Sequence, residues 1–190
     1  RDIRSLYETA CRIAVQDGNF SLAWVGGADG ATGSVRPTAC YGQGAACLEE
    51  LAISVGDAPV VSNDIETDQR TALFREKAFE LGFRSMASVP LFKGGTAIGA
   101  INLYSAEPGF FNDEETKLVE SLAADISFAV ESIENERLAK KADDELHLLQ
   151  GLSISIRDAK DFHSALDVVI TGLCKATAWT LGEAGKTPLA

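Results

Sequence analysis

The stretch from Phe83 to Leu122 limits the fold more than any other part of this sequence. Two apolar runs, Met86–Leu91 and Ala97–Tyr104, flank Lys93-Gly94-Gly95. Apolar, strand-forming runs parted by a short glycine turn predict a β-hairpin. The chain then reaches Asn112-Asp113-Glu114-Glu115. Asn112 or Asp113 suits a helix N-cap, and the glutamates place carboxylates at the positive end of the helix macrodipole.

Upstream, Ile3, Leu6, Ala10, Ile13 and Ala14 recur at helical spacing until Asp17-Gly18-Asn19 stops the pattern. Phe20–Val25 and Ser34–Tyr41 read as strands joined by the Gly/Asp-rich loop Gly26–Gly33. Pro37 removes a ladder donor, which predicts a sheet edge for the second strand. Cys47–Ile53 reads as a short helix and Pro59-Val60-Val61 as a short strand. Thr67 or Asp68 is a candidate cap for a helix running to about Leu81, with Leu73, Phe74, Ala78 and Phe79 on its apolar side. The fold class expected is α+β, an antiparallel sheet with helices on both faces.

Downstream of Asp113 no proline occurs before residue 154, and no glycine before Gly151. Val119, Leu122, Ile126, Ala129 and Ile133 step by threes and fours like a coiled-coil seam. The stripe resumes at Leu138, Ala142, Leu146 and Leu149 after a five-residue skip, which shifts supercoil register. A weak repeat spans this connector. Asp2-Ile3-Arg4-Ser5 lies 24 residues before Gly26, and Asp161-Phe162-His163-Ser164 begins 24 residues before Gly185. Residues 1–135 are thus expected to form one domain, 136–158 a helical connector, and 159–190 the truncated start of a second copy. In that last segment Phe162, Leu166, Val169, Ile170 and Leu173 lack a sheet to cover and are expected to pack on other helices or another copy. Arg1 at the start and Met86 as the only methionine suggest a piece of a longer chain.

Charge and cysteine usage narrow the function classes. Net charge is −11, and residues 1–135 hold 10 basic against 20 acidic side chains. Such a domain repels phosphate backbones and anionic lipid, so neither nucleic acid nor a membrane surface is an expected partner. No apolar run approaches the roughly 20 residues of a membrane span. Cys11, Cys40, Cys47 and Cys174 show no CxxC or metal-finger spacing. Free, buried thiols in a cytoplasmic protein are the expected state.

The order of elements and several short strings resemble a GAF domain, a small-molecule sensor and dimerisation module of signalling proteins. The strings are Ala23–Gly26 (A-W-V-G), Val60–Ile65 (V-V-S-N-D-I), Ser88–Leu91 (S-V-P-L) and Ile98–Ser105 (I-G-A-I-N-L-Y-S), followed by the acidic-capped helix. The resemblance covers residues 1–135 and implies the GAF fold. The connector resembles the signalling helix between sensor domains of bacterial sensor proteins, and 159–190 the beginning of a second GAF domain.

What the family uses for chemistry is largely missing. No histidine occurs in residues 1–135, which excludes an axial-His haem there, and no Cys-His pair is present for bilin attachment. No His/Cys/carboxylate cluster has metal-ligand spacing. Some cyclic-nucleotide-binding members carry N-K, a spacer, then F-x-x-x-D-E. Asn102-Leu103 and Phe110 with Glu114-Glu115 match in part, with Leu in place of the lysine. Gly182–Thr187 ends in G-K-T, but Thr180 stands where the phosphate loop needs glycine and Pro188 follows. His147 and His163 do not stand in a phosphoacceptor setting. The rival to a sensor is a thiol-dependent enzyme of the free methionine sulfoxide reductase type, using Cys40 and Cys47.

The expectation is therefore a non-catalytic, cytoplasmic sensor domain that binds an unidentified small molecule and relays its state through the long helix to an output domain. No haem, bilin or metal is expected. On β alternation, Asn102 and Tyr104 point away from the face of Ile101 and Leu103. With Trp24, Asp64, Phe74, Phe79 and Ser88 they are the candidate ligand-binding residues, on the sheet face opposite the terminal helices. Asn63-Asp64 borders the family's pocket, though turn and cap roles are the expected use of both side chains. A parallel homodimer through the first helix and the long helix is expected to cover the remaining apolar stripe.

Overall fold

The computed structural model describes residues 2–28, 35–45, 56 and 58–157, with isolated positions 163, 166, 170 and 171. The short helix expected at Cys47–Ile53 and the G-K-T string lie outside the described residues. So does nearly all of the expected second copy at 159–190.

The chain divides into two compact units, Arg1–Glu134 and Asn135–Ala190. The first is built on a five-stranded antiparallel sheet. Its strands are β1 (Leu22–Ala28), β2 (Val35–Gly42), β3 (Val60–Ser62), β4 (Ser85–Lys93) and β5 (Thr96–Ser105), in the spatial order β2-β1-β5-β4-β3. Helices α1 (Ile3–Asp17), α2 (Arg75–Glu80) and α3 (Asp113–Arg157) complete the described elements, with a 3₁₀ turn at Gln69–Thr71. Pro37 lies on β2, at the edge, where its missing N–H costs no ladder bond.

The β4–β5 hairpin closes through Gly94 and Gly95, both at positive φ (53° and 82°), between the paired residues Lys93 and Thr96. A two-residue turn with both φ positive matches the right-handed strand twist, and glycine meets it without steric cost. Further along, β1 and β5 approach so closely that a Cβ on Gly99 would stand 2.1 Å from the Gly26 carbonyl oxygen. These glycines fix how tightly the two central strands close.

Both faces of the central strands are buried, which is why Met86–Leu91 and Ala97–Tyr104 read as nearly continuous apolar runs. One face carries Ala23, Val25, Ala87, Val89, Leu91, Ile101 and Leu103 and packs with α1 and α3. From α1 come Tyr7, Ala10, Cys11 and Ala14, and from α3 Val119, Ala123, Ile126 and Val130. Two details of the expected stripes change. Ile13 is exposed, because the buried stripe of α1 is rotated toward Tyr7 and Cys11. Val119 and Ile126 belong to the domain's own core rather than to a free seam, and Leu122 only flanks that core.

α3 begins as its sequence predicts: Asn112 Oδ1 accepts from the N–H groups of Glu114 and Glu115 at 2.7 and 3.2 Å. Just ahead of it, Asn63 clasps Phe111 from both sides, donating to its carbonyl (2.8 Å) and accepting from its N–H (2.9 Å). The single helix expected from Thr67 or Asp68 to Leu81 is instead broken into the 3₁₀ turn and α2. Asp68 does cap, accepting from Arg70 N–H at 2.9 Å, but only for that 3₁₀ turn. Leu73, assigned to the apolar side, is almost fully exposed at 95%. The Arg75 side chain binds the carbonyls of Ile65 and Asp68, which ties the loop down where a continuous helix would have lifted it.

In the second unit α3 continues to Arg157, with Leu138, Leu146, Leu149 and Ile154 exposed.

Candidate functional site

The sheet face turned away from α1 and α3 is organised by strand register. Trp24 on β1 stands directly opposite Asn102 on β5, and Asn102 opposite Ser88 on β4. One step along, Leu22, Tyr104, Met86 and Ser62 form the next row. Directly paired residues project to the same side, so Trp24, Asn102, Ser88 and Tyr104 form one contiguous patch. Val35, Ile65, Phe74, Ala78 and Phe83 pack around it, with the Phe83 and Tyr104 rings 5.0 Å apart.

This apolar setting encloses polar atoms that have no partners. Trp24, Asn102 and Tyr104 are each 0% exposed. Trp24 Nε1, Asn102 Oδ1 and Tyr104 OH lack any hydrogen-bond partner. The indole N–H lies near enough to the phenol oxygen to favour its ionised form slightly, but without hydrogen-bond geometry. Burial dominates and pushes the Tyr104 hydroxyl well above the ordinary phenol range, so it stays protonated. Asn102 Nδ2 donates only a long contact, 3.5 Å, to the Ala100 carbonyl. Leaving a buried polar group unpaired costs about 1–3 kcal/mol. Three such atoms lie in one patch, and the unpartnered hydroxyl of Ser62 stands at its border.

The structure thus brings together Trp24, Phe74, Ser88, Asn102 and Tyr104, and sets two further candidates apart. Asp64 is exposed and serves its own turn, accepting from Glu66 N–H (3.0 Å) and Thr67 Oγ1 (2.7 Å). The Thr67 bond is the main reason its carboxyl lies below the usual range. Phe79 lies under the Arg84 guanidinium, whose carbon is 3.7 Å from the ring centroid. It lines an open surface depression of about 580 Å³ with Glu66, Arg75, Glu76 and Glu80.

Sequence reasoning missed Ile65, Phe83 and Met86 as walls of the patch, and Ser62 at its border. Only the pairing of β3 with β4 reveals Ser62, since three residues carry no readable alternation. Its hydroxyl is buried and, like the three polar atoms above, has no hydrogen-bond partner.

The thiols are divided. Cys11 is buried, its Sγ 3.8 Å from the Ala39 carbonyl, and desolvation pushes its pKa up to about 12. Cys40 is exposed and contacts the Ala45 carbonyl at 3.9 Å; the expectation of uniformly buried thiols fails for it. Cys47, its suggested redox partner, lies outside the described residues. Among the described residues no group of three His, Cys, Asp or Glu could hold a metal ion, and no helix is long and apolar enough to cross a membrane.

No curated protein matches the chain. Several solved structures share its fold. A domain assigned to a two-component sensor histidine kinase protein of Sinorhizobium meliloti 1021 superposes with a TM-score of 0.65 at 20% identity, over 74% of this chain and 98% of that one. The GAF domain region of a protein assigned to the membrane in Geobacter sulfurreducens PCA gives 0.58 at 22% identity, over 68% and 93%. A type II free methionine-R-sulfoxide reductase from Thermoplasma acidophilum gives 0.51 at 19% identity, over 66% and 89%. The family model described as GAF domain matches residues 1–131. With the sheet order, the terminal helices and that match in agreement, the chain belongs to the GAF domain family.

Proposed function

We propose that this GAF domain is a non-catalytic, cytoplasmic sensor that holds a small organic molecule on the patch of Trp24, Asn102 and Tyr104. The observation that carries this is the trio of fully buried, unpartnered polar atoms on a largely apolar face. An apolar wall with a few convergent polar groups is the usual composition of a small-molecule site.

Strand β5 supplies the link to output. Asn102 and Tyr104 face the patch, while Ile101 and Leu103, alternating with them, pack in the core shared with α1 and α3. A molecule that favours one setting of β5 therefore favours one packing of α3, which runs on to Arg157. The similarity to a domain assigned to a sensor histidine kinase protein supports an output of the two-component kind. Exposed Leu118 and Phe128 on the first unit, and Leu138, Leu146 and Leu149 on the second, support a parallel homodimer as the relay's frame.

Hydrogen exchange tests the relay. Adding the small-molecule fraction of a cell extract is expected to slow exchange in β5 and in residues 113–134 together. Slowing in neither, at saturating extract, would remove the proposal.

A further inference from the structure

We propose that the molecule bound on the Trp24–Asn102–Tyr104 patch is uncharged and carries adjacent hydrogen-bond acceptor and N–H donor atoms, as a carboxamide or lactam does. This rests on reading the patch as the sensor's ligand site and specifies the chemistry that site accepts.

The unpartnered atoms divide by role. The Trp24 indole can only donate. Tyr104 keeps its proton and is a donor as well. The Tyr104 proton therefore calls for an acceptor on the ligand, which the Trp24 N–H beside the phenol oxygen can share. Asn102 supplies the opposite demand. Its Nδ2 faces the Ala100 carbonyl across a long 3.5 Å contact, and its Oδ1 is open to receive a donor. Trp24 and Asn102 are direct cross-strand partners, and Tyr104 is two residues along the same strand. Acceptor and donor on the ligand must therefore lie within a few ångströms of each other, as C=O and N–H do in one amide.

Charge is disfavoured by the described residues around the patch. Among the described residues, no Asp, Glu, Lys, Arg or His is buried. Of the described cations beside the patch walls in sequence, Arg84 donates to the Phe83 carbonyl and lies over the Phe79 ring. Arg75 binds the carbonyls of Ile65 and Asp68, and Arg70 binds Asp68 and the Val61 carbonyl. Among the described residues, a carboxylate or ammonium enclosed here meets no buried counter-charge, which costs far more than enclosing an uncharged group. The flat walls of Trp24, Phe74, Phe83 and Tyr104 add a preference for a planar, aromatic or conjugated body.

Three near-isosteric probes separate the alternatives: benzamide, benzoate and benzamidinium. Trp24 reports directly once Trp179, the other tryptophan, is replaced (Trp179→Phe). Benzamide is expected to change Trp24 emission saturably, with both ions weaker by about tenfold or more. Asn102→Leu should weaken benzamide by about tenfold, the share of one hydrogen-bonded group. Tyr104→Phe should weaken it in the same direction. No saturable response to benzamide, or an ion binding as tightly, overturns the inference. An ion whose binding is lost in Asn102→Leu would overturn neutrality alone and leave the sensor reading intact.

Discussion

The main-chain N–H of Phe92 donates to the hydroxyl of Ser127 across 3.0 Å, at the point where the β4–β5 register shifts. Ser127 itself donates to the Ala123 carbonyl (2.7 Å), one turn back on α3. Beside it Lys93 is ion-paired with Glu134. The hairpin is thus fastened to α3 near the end of the first unit. Ser127→Ala strands a half-buried N–H and should cost about 1–2 kcal/mol. Denaturant unfolding of the purified variant measures this, and an unchanged midpoint would show that the contact contributes nothing.

Tyr104→Phe should behave in the opposite way. Removing a buried hydroxyl with no partner is expected to leave stability within about 0.5 kcal/mol, or to raise it. A loss above about 2 kcal/mol would mean the hydroxyl is satisfied internally, and the patch would lose its claim to a ligand. Stability and binding are expected to part company at this residue, as they do where a site is kept at a cost to the fold.

Much of this was readable before the structure. The hairpin and the Asn112 cap follow from local chemistry: glycines where φ must be positive, and an Asx side chain ahead of acidic residues. That Asn102 and Tyr104 lie opposite Ile101 and Leu103 followed from alternation, while which face the helices cover rested on the family resemblance. What failed was decided by tertiary contacts. Arg75 anchoring to the Ile65 and Asp68 carbonyls breaks the helix that spacing suggested over 67–81. Asp64 and Phe79 are near the patch in sequence but are claimed by Thr67 and Arg84. The unpartnered state of Trp24, on which the proposed site rests, depends on two strands meeting and has no local signal.

Asp68 gives a pH prediction with a definite sign. The Arg70 guanidinium, foremost, and the Arg70 N–H hold its carboxyl well below the usual range. Its folded pKa is therefore depressed, so its contribution is fully present above the unfolded value of about 4 and is lost as pH falls below it. Discounted for the solvent-exposed Arg70 side chain, the contribution is about 1 kcal/mol. The stability gap between the native chain and Asp68→Asn should shrink steadily from pH 5 to pH 2, as read by thermal unfolding. A gap constant over that range would refute the assignment.

Leu138 and Leu149 are both 62% exposed on α3. If a second copy covers them, sedimentation should show a dimer for the native chain and a monomer for Leu138→Glu/Leu149→Glu. Two monomers would end the dimer proposal.

Native mass spectrometry of the chain, released gently from the cells that made it, tests the sensing role most directly. The expected spectrum shows an added small-molecule mass that leaves on mild activation and is missing from an Asn102→Leu/Tyr104→Phe double variant that still folds. A bare chain in both preparations, unchanged after incubation with the small-molecule fraction of a cell extract, would contradict the proposal that this GAF domain is a sensor.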